Sequence, residues 1–419
     1  MRFLLRHPLI RTLANLRGNS RVCVYTEPMW GLSLNLVTPY MPVFMLALGL
    51  NDAEVGAVAS IYMGSQIVFA FLSGALTDKL GRRVAVTVFD ALAWCAPCVI
   101  WLFAADFKFF VVAALCNGAM RVPTNAWGCL LIEDADKGQI THIFTWIMIF
   151  GNLSALFSPI SSIMISRLTL IPAVRILIVN ALAVFSIKLV LLYKATKETS
   201  IGLARMREAR GQSYASLLKG YSGVLKQMRK SRGLVFSIAV ASLVTIITMV
   251  NTTFWQIIAN KKLSIPDSSL PLFTMLRSLL ALFFYFTVIS RVSQVKLKNP
   301  LLLGFASYFA GQAILISIPS GGSPYYIMLC VSLVFDGFGA SMLGMLSESM
   351  IAIHAGEAER ARVLAIYQMI VMAICAPFGW IGGMLSGVSR NLPFILNLTL
   401  IAAGAALTLA HFRAKQNLP

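Results

Sequence analysis

Charge is scarce in this chain. Only 12% of its 419 residues are Asp, Glu, Lys or Arg, where a soluble protein would carry about 25%. Acidic residues are the rarest, 16 against 35 basic ones. Histidine occurs four times, at 7, 142, 354 and 411, too scattered to supply the three or four convergent ligands of a zinc site. The sequence has no Gly-Lys dipeptide and so no Walker A loop, and it lacks H-E-x-x-H, G-x-S-x-G and G-x-G-x-x-G. These absences exclude an ATP-driven pump and the commoner hydrolase and dinucleotide chemistries. No catalytic residue, metal site or cofactor is expected, and the chain reads as a non-enzyme.

What fills the space is apolar. Hydrophobic residues make up 58% of the chain, and the mean hydropathy is +0.79. Such a composition excludes a soluble globular protein, a disordered chain and a fibrous one. The seven cysteines, 23, 95, 98, 116, 129, 330 and 375, all lie in apolar stretches and read as small buried hydrophobes rather than a disulfide framework. Cys95-Ala-Pro-Cys98 has redox spacing but lies inside a predicted span with no βαβ unit around it. The basic N-terminal segment, with Arg2, Arg6, Arg11 and Arg17 and no A-x-A site, reads as a short interfacial helix rather than a cleaved leader.

Apolar segments at 22–49, 54–76, 84–104, 109–132, 140–165, 173–193, 233–258, 269–290, 300–318, 324–351, 361–387 and 392–412 predict twelve membrane-spanning helices. They lack β alternation, and in lipid only helices or closed barrels satisfy their backbone. The expected fold is an all-α integral membrane protein of two six-helix bundles, 1–193 and 233–419, joined by a cytoplasmic loop at 194–232. That loop carries ten Lys and Arg against Glu198 and Glu208. Tyr214, Leu217, Leu218, Tyr221, Val224, Leu225 and Met228 recur in it at helical spacing, as in an amphipathic surface helix or a basic linker that merely obeys topology. Most basic residues fall in the tails and the even-to-odd loops. Lys108, Arg167, Arg175, Lys261, Lys262 and Arg390 fall opposite, and Arg121, Lys188 and Arg277 lie within spans. The positive-inside rule then puts both termini in the cytoplasm, in a plasma (inner) membrane. The basic excess is thus a matter of sidedness, and no nucleic acid is expected as a partner. Gly118, Pro159 and Asn180 recur as Gly337, Pro377 and Asn397 at a nearly constant offset, which fits a tandem duplication.

Between spans 2 and 3 the chain reads Gly74-Ala-Leu-Thr-Asp78-Lys79-Leu-Gly81-Arg82-Arg83. This resembles the signature loop of the major facilitator superfamily, G-x-x-x-D-[RK]-x-G-[RK]-[RK], at every defined position. Pro39-Tyr-Met-Pro42 followed by Leu48-Gly49 looks like a second pattern of that family. The resemblance implies a secondary active transporter working by alternating access, usually as a monomer. It also implies that the loop latches the two bundles on the cytoplasmic side. Gly74 would permit close helix approach, Gly81 a tight turn, and Glu133, Asp134 and Asp136 stand as partners for Arg82 and Arg83, or as a solvated acidic loop. Two departures are visible. The span 5 glycine motif of proton-driven drug antiporters is replaced by Ser154, Ser158-Pro159 and Ser161-Ser162, and Arg121 in span 4 lacks the usual Gln-Gly after it.

Charges inside spans are costly and are functional hypotheses by default. Here they are Glu27, Asp90, Arg121, Arg277, Asp336 and Glu348, with Asn117 and Asn125 one turn either side of Arg121. Asn251, Trp255 and Gln256 form a polar stripe on span 7. Each charge serves substrate or proton binding, or belongs to an internal ion pair such as Arg121 with Glu27 or Asp336. Lys188 is expected to snorkel to the inner edge. The reading is a proton-coupled transporter of a small organic anion or zwitterion held by Arg121 and Arg277, with protons moving through Glu27 or Asp336. The alternative is efflux of drugs or amphipathic cations on the same carboxylates. A non-transporting scaffold or embedded enzyme comes last.

Overall fold

A computed structural model describes residues 8–136, 139–211, 228–287, 297–320, 326–354 and 360–416. The amphipathic helix expected at 214–228 lies, but for Met228, outside these residues. Among the described residues all regular structure is helical. By contact the chain divides into two units. One comprises Met1–Thr38 and Gly64–Lys219, the other Pro39–Met63 and Gly220–Pro419.

The first unit contains α1 (Pro8–Asn15), α2 (Gly18–Val37), the inner part of α4 (Asp52–Leu80), α5 (Arg82–Asp90), α6 (Ala96–Leu102), α7 (Phe107–Gly118), α8 (Arg121–Ile132), α9 (Ile140–Ala155), α10 (Pro159–Leu168), α11 (Leu170–Ala195) and α12 (Ser200–Glu208). Cys23, Val24, Ala85, Val86, Val122, Ala126, Leu130, Ile143 and Leu192 form its apolar core. Helix α2 comes close to α9 at Gly31, where a Cβ would stand 2.7 Å from Ser154 Oγ. A serine in place of the family glycine thus faces a glycine across the crossing. Between α5 and α6 a π-helical turn, Ala91–Cys95, precedes Pro97. Proline has no N–H to give the carbonyl four residues back. That carbonyl, Ala93 O, accepts instead from Asn117 Nδ2 on α7 at 2.6 Å. Asn117 is therefore a backbone partner of the neighbouring span, not part of a stripe with Arg121.

The second unit contains α3 (Met41–Ala47), the outer part of α4, α13 (Arg232–Ile257), α14 (Leu270–Thr287), α15 (Lys298–Ser317), α16 (Tyr326–His354), α17 (Arg360–Val388) and α18 (Leu392–Gln416). Helices α15 and α16 cross most intimately. A Cβ on Gly311 would stand 2.6 Å from Asp336 N, and one on Gly339 would stand 2.6 Å from Tyr308 N. Small residues of this kind let helix backbones touch, which is how helices associate where no hydrophobic force separates protein from lipid. The outer end of α4 meets α17 in the same way. A Cβ on Gly56 would overlap the Gly379 carbonyl, and Gly383 lies against Asp52 and Gly56. Asp52 pairs with Arg390 and accepts from Ser386 Oγ at 2.8 Å, and Trp380 N donates to Ser60 Oγ at 2.7 Å.

Ten described helical segments are long and apolar enough to cross a membrane, which makes this a multi-pass membrane protein. Predicted spans 1 and 4 are not among them. The first is broken by a 3-10 turn at Thr38–Tyr40, and its helix α2 starts at Gly18 and carries Asn19, Ser20, Arg21, Thr26 and Glu27. The second is broken between Gly118 and Arg121. All seven cysteines are free. Gly74 does not mediate the expected close approach, because a Cβ there meets nothing within 4 Å.

Gly56→Ala is expected to lower the thermal unfolding midpoint, through overpacking that costs about 1–3 kcal/mol. Gly344→Ala adds a Cβ that meets nothing within 4 Å and should leave the midpoint unchanged. Equal midpoints for the two variants in one detergent would refute the close crossing.

Candidate functional site: two buried charge clusters and a signature loop

In the second unit four helices converge on Asp336, which is 4% exposed. Asn251 Nδ2 of α13 donates to Oδ2 at 2.8 Å, and Gln312 Nε2 of α15 donates to Oδ1 at 2.6 Å. Arg277 Nη2 of α14 reaches Oδ2 at 3.3 Å. Asn251 also donates to Tyr308 OH at 3.3 Å. The guanidinium of Arg277 stands 4.4 Å over the Trp255 ring, and Trp255 packs at a tilt against Phe273 with ring centres 5.5 Å apart. A carboxylate in a dry site needs a cation and several donors, and Asp336 has both. Arg277 Nε has no hydrogen-bond partner among the described residues. The sequence reading singled out Asn251, Trp255, Arg277 and Asp336. It missed Tyr308 and Gln312, whose signal was their spacing beside Gly304 and Gly311 on span 9.

The first unit holds a cluster of a different charge balance. Glu27 on α2 and Lys188 on α11 are both buried, with Nζ 3.8 Å from Oε2. Asp90, at the end of α5, is half-buried, interacts electrostatically with both, and is hydrogen-bonded by Trp94. The Lys188 ammonium lies 5.8 Å from the Trp30 ring centre, and Trp30 meets Trp94 edge to face at 5.5 Å. Lys188 is 5% exposed and does not snorkel. Two carboxylates flank it on other helices, and solvating an ammonium between them outweighs reaching for the interface. Among the described residues the ion pairs inside the spans are thus Glu27 with Lys188 and Asp336 with Arg277. Arg121 is in neither pair: its Nε donates to Gln66 Oε1 at 2.7 Å, and Gln66 is 2% exposed. Asn125 is exposed on α8 and joins neither cluster.

The signature loop is bound into the first unit. Gly81 turns the chain at φ +82°, a region that favours glycine. Arg82 is 4% exposed and spans two acids, Asp78 at 3.0 Å and Glu133 at 3.1 Å. Glu133 is also taken by Thr199 Oγ1 in a short hydrogen bond. Arg83 does not pair with this acidic group. Its Nε donates to Tyr193 O at 2.9 Å, and its guanidinium lies 4.2 Å over the Tyr193 ring. Glu198 is the partner that the sequence did not reveal. Its two oxygens accept from the backbone N–H groups of Arg82 and Arg83, each at 3.0 Å. A carboxylate at the first turn of a helix meets free N–H groups and the positive end of the dipole. Its only mark in the sequence was being one of two acids in a basic loop. Lys79 is half-buried.

Among the described residues no group of three or more His, Cys, Asp or Glu is placed to hold a metal ion. Ten membrane-crossing helices with buried charges among them are the build of a membrane transporter. The chain belongs to the Major Facilitator Superfamily, whose family model matches residues 29–379. A stretch of 163 residues is 29% identical to the multi-drug resistance efflux pump PmrA of Streptococcus pneumoniae serotype 4, covering 35% of this chain and 40% of that protein. A shorter stretch of 57 residues is 32% identical to the quinolone resistance protein NorA of Staphylococcus aureus, covering 14% of this chain and 15% of that one. The chain therefore spans less than half the length of the curated relatives it matches. Its backbone is similar to a crystal structure of a mutant nucleoside transporter NupG, with TM-score 0.74 and 14% identity over 94% of this chain and 99% of that one. It is also similar to a POT family transporter in complex with 5-aminolevulinic acid, with TM-score 0.68 and 15% identity over 93% and 94%. These structural likenesses show the fold.

Lys188→Met leaves two carboxylates facing each other in a buried site, a loss of about 3–5 kcal/mol where one partner of a buried pair is removed. Glu27→Gln combined with Lys188→Met is expected to recover most of that loss. Unfolding midpoints of the two singles and the double give the coupling directly. Additive effects would show that Glu27 and Lys188 do not interact.

Proposed function

We propose that the chain is a proton-coupled exporter of amphipathic organic molecules, organic cations among them, working by alternating access in a plasma (inner) membrane. On this reading it has twelve spans, counting the broken helices α2–α3 and α7–α8 as crossings, two six-helix bundles, a monomeric unit and cytoplasmic termini. One observation carries the coupling: the buried cluster of the first unit has two acids, Glu27 and Asp90, around the single ammonium of Lys188. With both acids ionised it holds one uncompensated negative charge, which is costly away from water. One proton makes it neutral. Among the described residues the thiols of Cys23 and Cys95 also stand beside it. The substrate class is supported by the relatives PmrA and NorA, and by the fact that Arg277 already holds Asp336 rather than standing open to an anion. The organic anion reading keeps one supporting observation, the unpartnered Nε of Arg277.

Inside-out vesicles or proteoliposomes with an imposed pH gradient are expected to accumulate ethidium only while the gradient lasts. Glu27→Gln should abolish this driven uptake while leaving ethidium exchange at equilibrium. Gradient-driven uptake that survives in Glu27→Gln would refute the coupling role. Failure of ethidium to move, with a carboxylate whose binding is lost in Arg277→Ala, would establish the anion reading instead.

A further inference from the structure

The guanidinium of Arg277 occupies two recognition elements at once. One is the carboxylate of Asp336, whose Oδ2 accepts from Nη2 at 3.3 Å. The other is the face of Trp255, with the guanidinium carbon 4.4 Å from the ring centre. These are the two groups by which a protein takes hold of an organic cation: an opposite charge that accepts N–H groups, and an aromatic face that attracts positive charge. Arg277 is a loose occupant of both. Its hydrogen bond to Asp336 is longer than the roughly 2.7–2.9 Å of a well-made charge-assisted bond. Its buried Nε has no hydrogen-bond partner among the described residues.

The walls do not depend on that occupant. Asn251 Nδ2 and Gln312 Nε2 hold one oxygen each of the Asp336 carboxylate, and Gln312 Nε2 also reaches Asn251 Oδ1 at 3.3 Å. The Gly311 crossing fixes α15 against the backbone of Asp336. Trp255 is buried and packed against Phe273. The side chain of Asp336 is 6% exposed and that of Arg277 22%. Arg277 is thus the most exposed member of the cluster, and a path to the carboxylate runs past it. Rotation of its flexible stem would uncover a fixed carboxylate beside a fixed ring.

We propose that Arg277 is a built-in competitor. It fills the Asp336–Trp255 site in place of the transported cation, and a cation with a flat N–H-bearing head, amidinium or guanidinium on an apolar body, binds by displacing it. The inference rests on the proposed export of organic cations and gives that cargo a binding site. An uncovered Asp336 would be a lone charge in a dry interior, so Arg277 and the cargo answer it in turn. Displacement also sets affinity. A ligand that must wait for its site to open binds more weakly by the fraction of time the site is open. Removing the competitor therefore tightens binding, the reverse of removing a contact residue.

The test measures equilibrium binding of the fluorescent aryl amidinium dye DAPI to the purified full chain in detergent, with no pH gradient. The wild-type chain is expected to bind it. Arg277→Gln should bind about tenfold more tightly. Asp336→Asn should bind about tenfold more weakly, the effect of losing one charge-assisted hydrogen bond. Arg277→Gln combined with Asp336→Asn leaves no unpaired ion in the interior and should bind as weakly as Asp336→Asn alone. Trp255→Leu placed on Arg277→Gln should cost about fivefold, the size of one cation–π contact. Where Arg277→Gln does not fold, Arg277→Lys decides: it keeps the charge but loses the planar stack on Trp255, and should also tighten binding. Binding that is unchanged or weaker without Arg277, binding that is unchanged in Asp336→Asn, or no binding to any variant overturns the inference. Proton coupling does not enter this measurement. The expected pattern without gradient-driven ethidium uptake would sink the export reading and leave the site standing, whereas uptake without the pattern would sink the site alone.

Discussion

Within a bilayer no water is at hand, so an interior polar group that is to be hydrogen-bonded must be answered by the protein itself. The rest of this structure follows from that constraint. Hydroxyls fold back onto their own helices, as when Ser154 Oγ donates to Phe150 O, Ser237 Oγ to Gly233 O and Thr408 Oγ1 to Gly404 O. Asp336 is surrounded by donors from three other helices. Lys188 abandons the interface for two acids. The same rule explains why functional charges and packing are inseparable here: a carboxylate that is to change its partner during transport must first have one.

Close backbone crossings are the second organising element. They lie at glycines: Gly311 against Asp336 and Gly339 against Tyr308 where α15 crosses α16, Gly31 of α2 against Ser154 of α9, and Gly56 against Gly379 and Gly383. In the first two the crossing also delivers chemistry. Gly311 brings α15 against the backbone of Asp336, and Gln312, the next residue, can then reach the carboxylate. Gly81 does the same for the signature loop. Its turn exposes two adjacent N–H groups to one acid, and that acid anchors the loop that follows α11.

Much of this was legible in the sequence, because it is written in local pattern. Apolar runs announced the helices, a ten-residue motif announced the loop, and charges without water around them announced Glu27, Asp90, Arg277 and Asp336. Partnership was not legible. The sequence offered Arg121 as the partner of Glu27 or Asp336 and sent Lys188 to the inner edge, since spacing along one helix says nothing about which neighbour faces it. Glu198 and Gln312 were invisible for the same reason: each acts across tens of residues of chain. Breaks were visible as prolines. Pro39 and Pro42 stand at the bend in the first span, and Pro123 stands in the first turn after the break before Arg121, where it has no N–H for Ala119 O. Equivalent residues of the apparent repeat also diverge in use, for Asn397 is wholly buried and donates to Ile247 O while Asn180 is exposed.

The exchange at Pro97 ties two distant positions into one heritable unit. A chain that replaced the proline would give Ala93 O a second donor, and a carbonyl oxygen takes two. A chain that replaced Asn117 by an apolar residue while the proline stayed would strand the carbonyl. The first change alone costs nothing at this oxygen, whereas the second alone does. Among descendants of this sequence position 117 should therefore turn apolar only after position 97 has changed, so that the history of one span records the history of its neighbour.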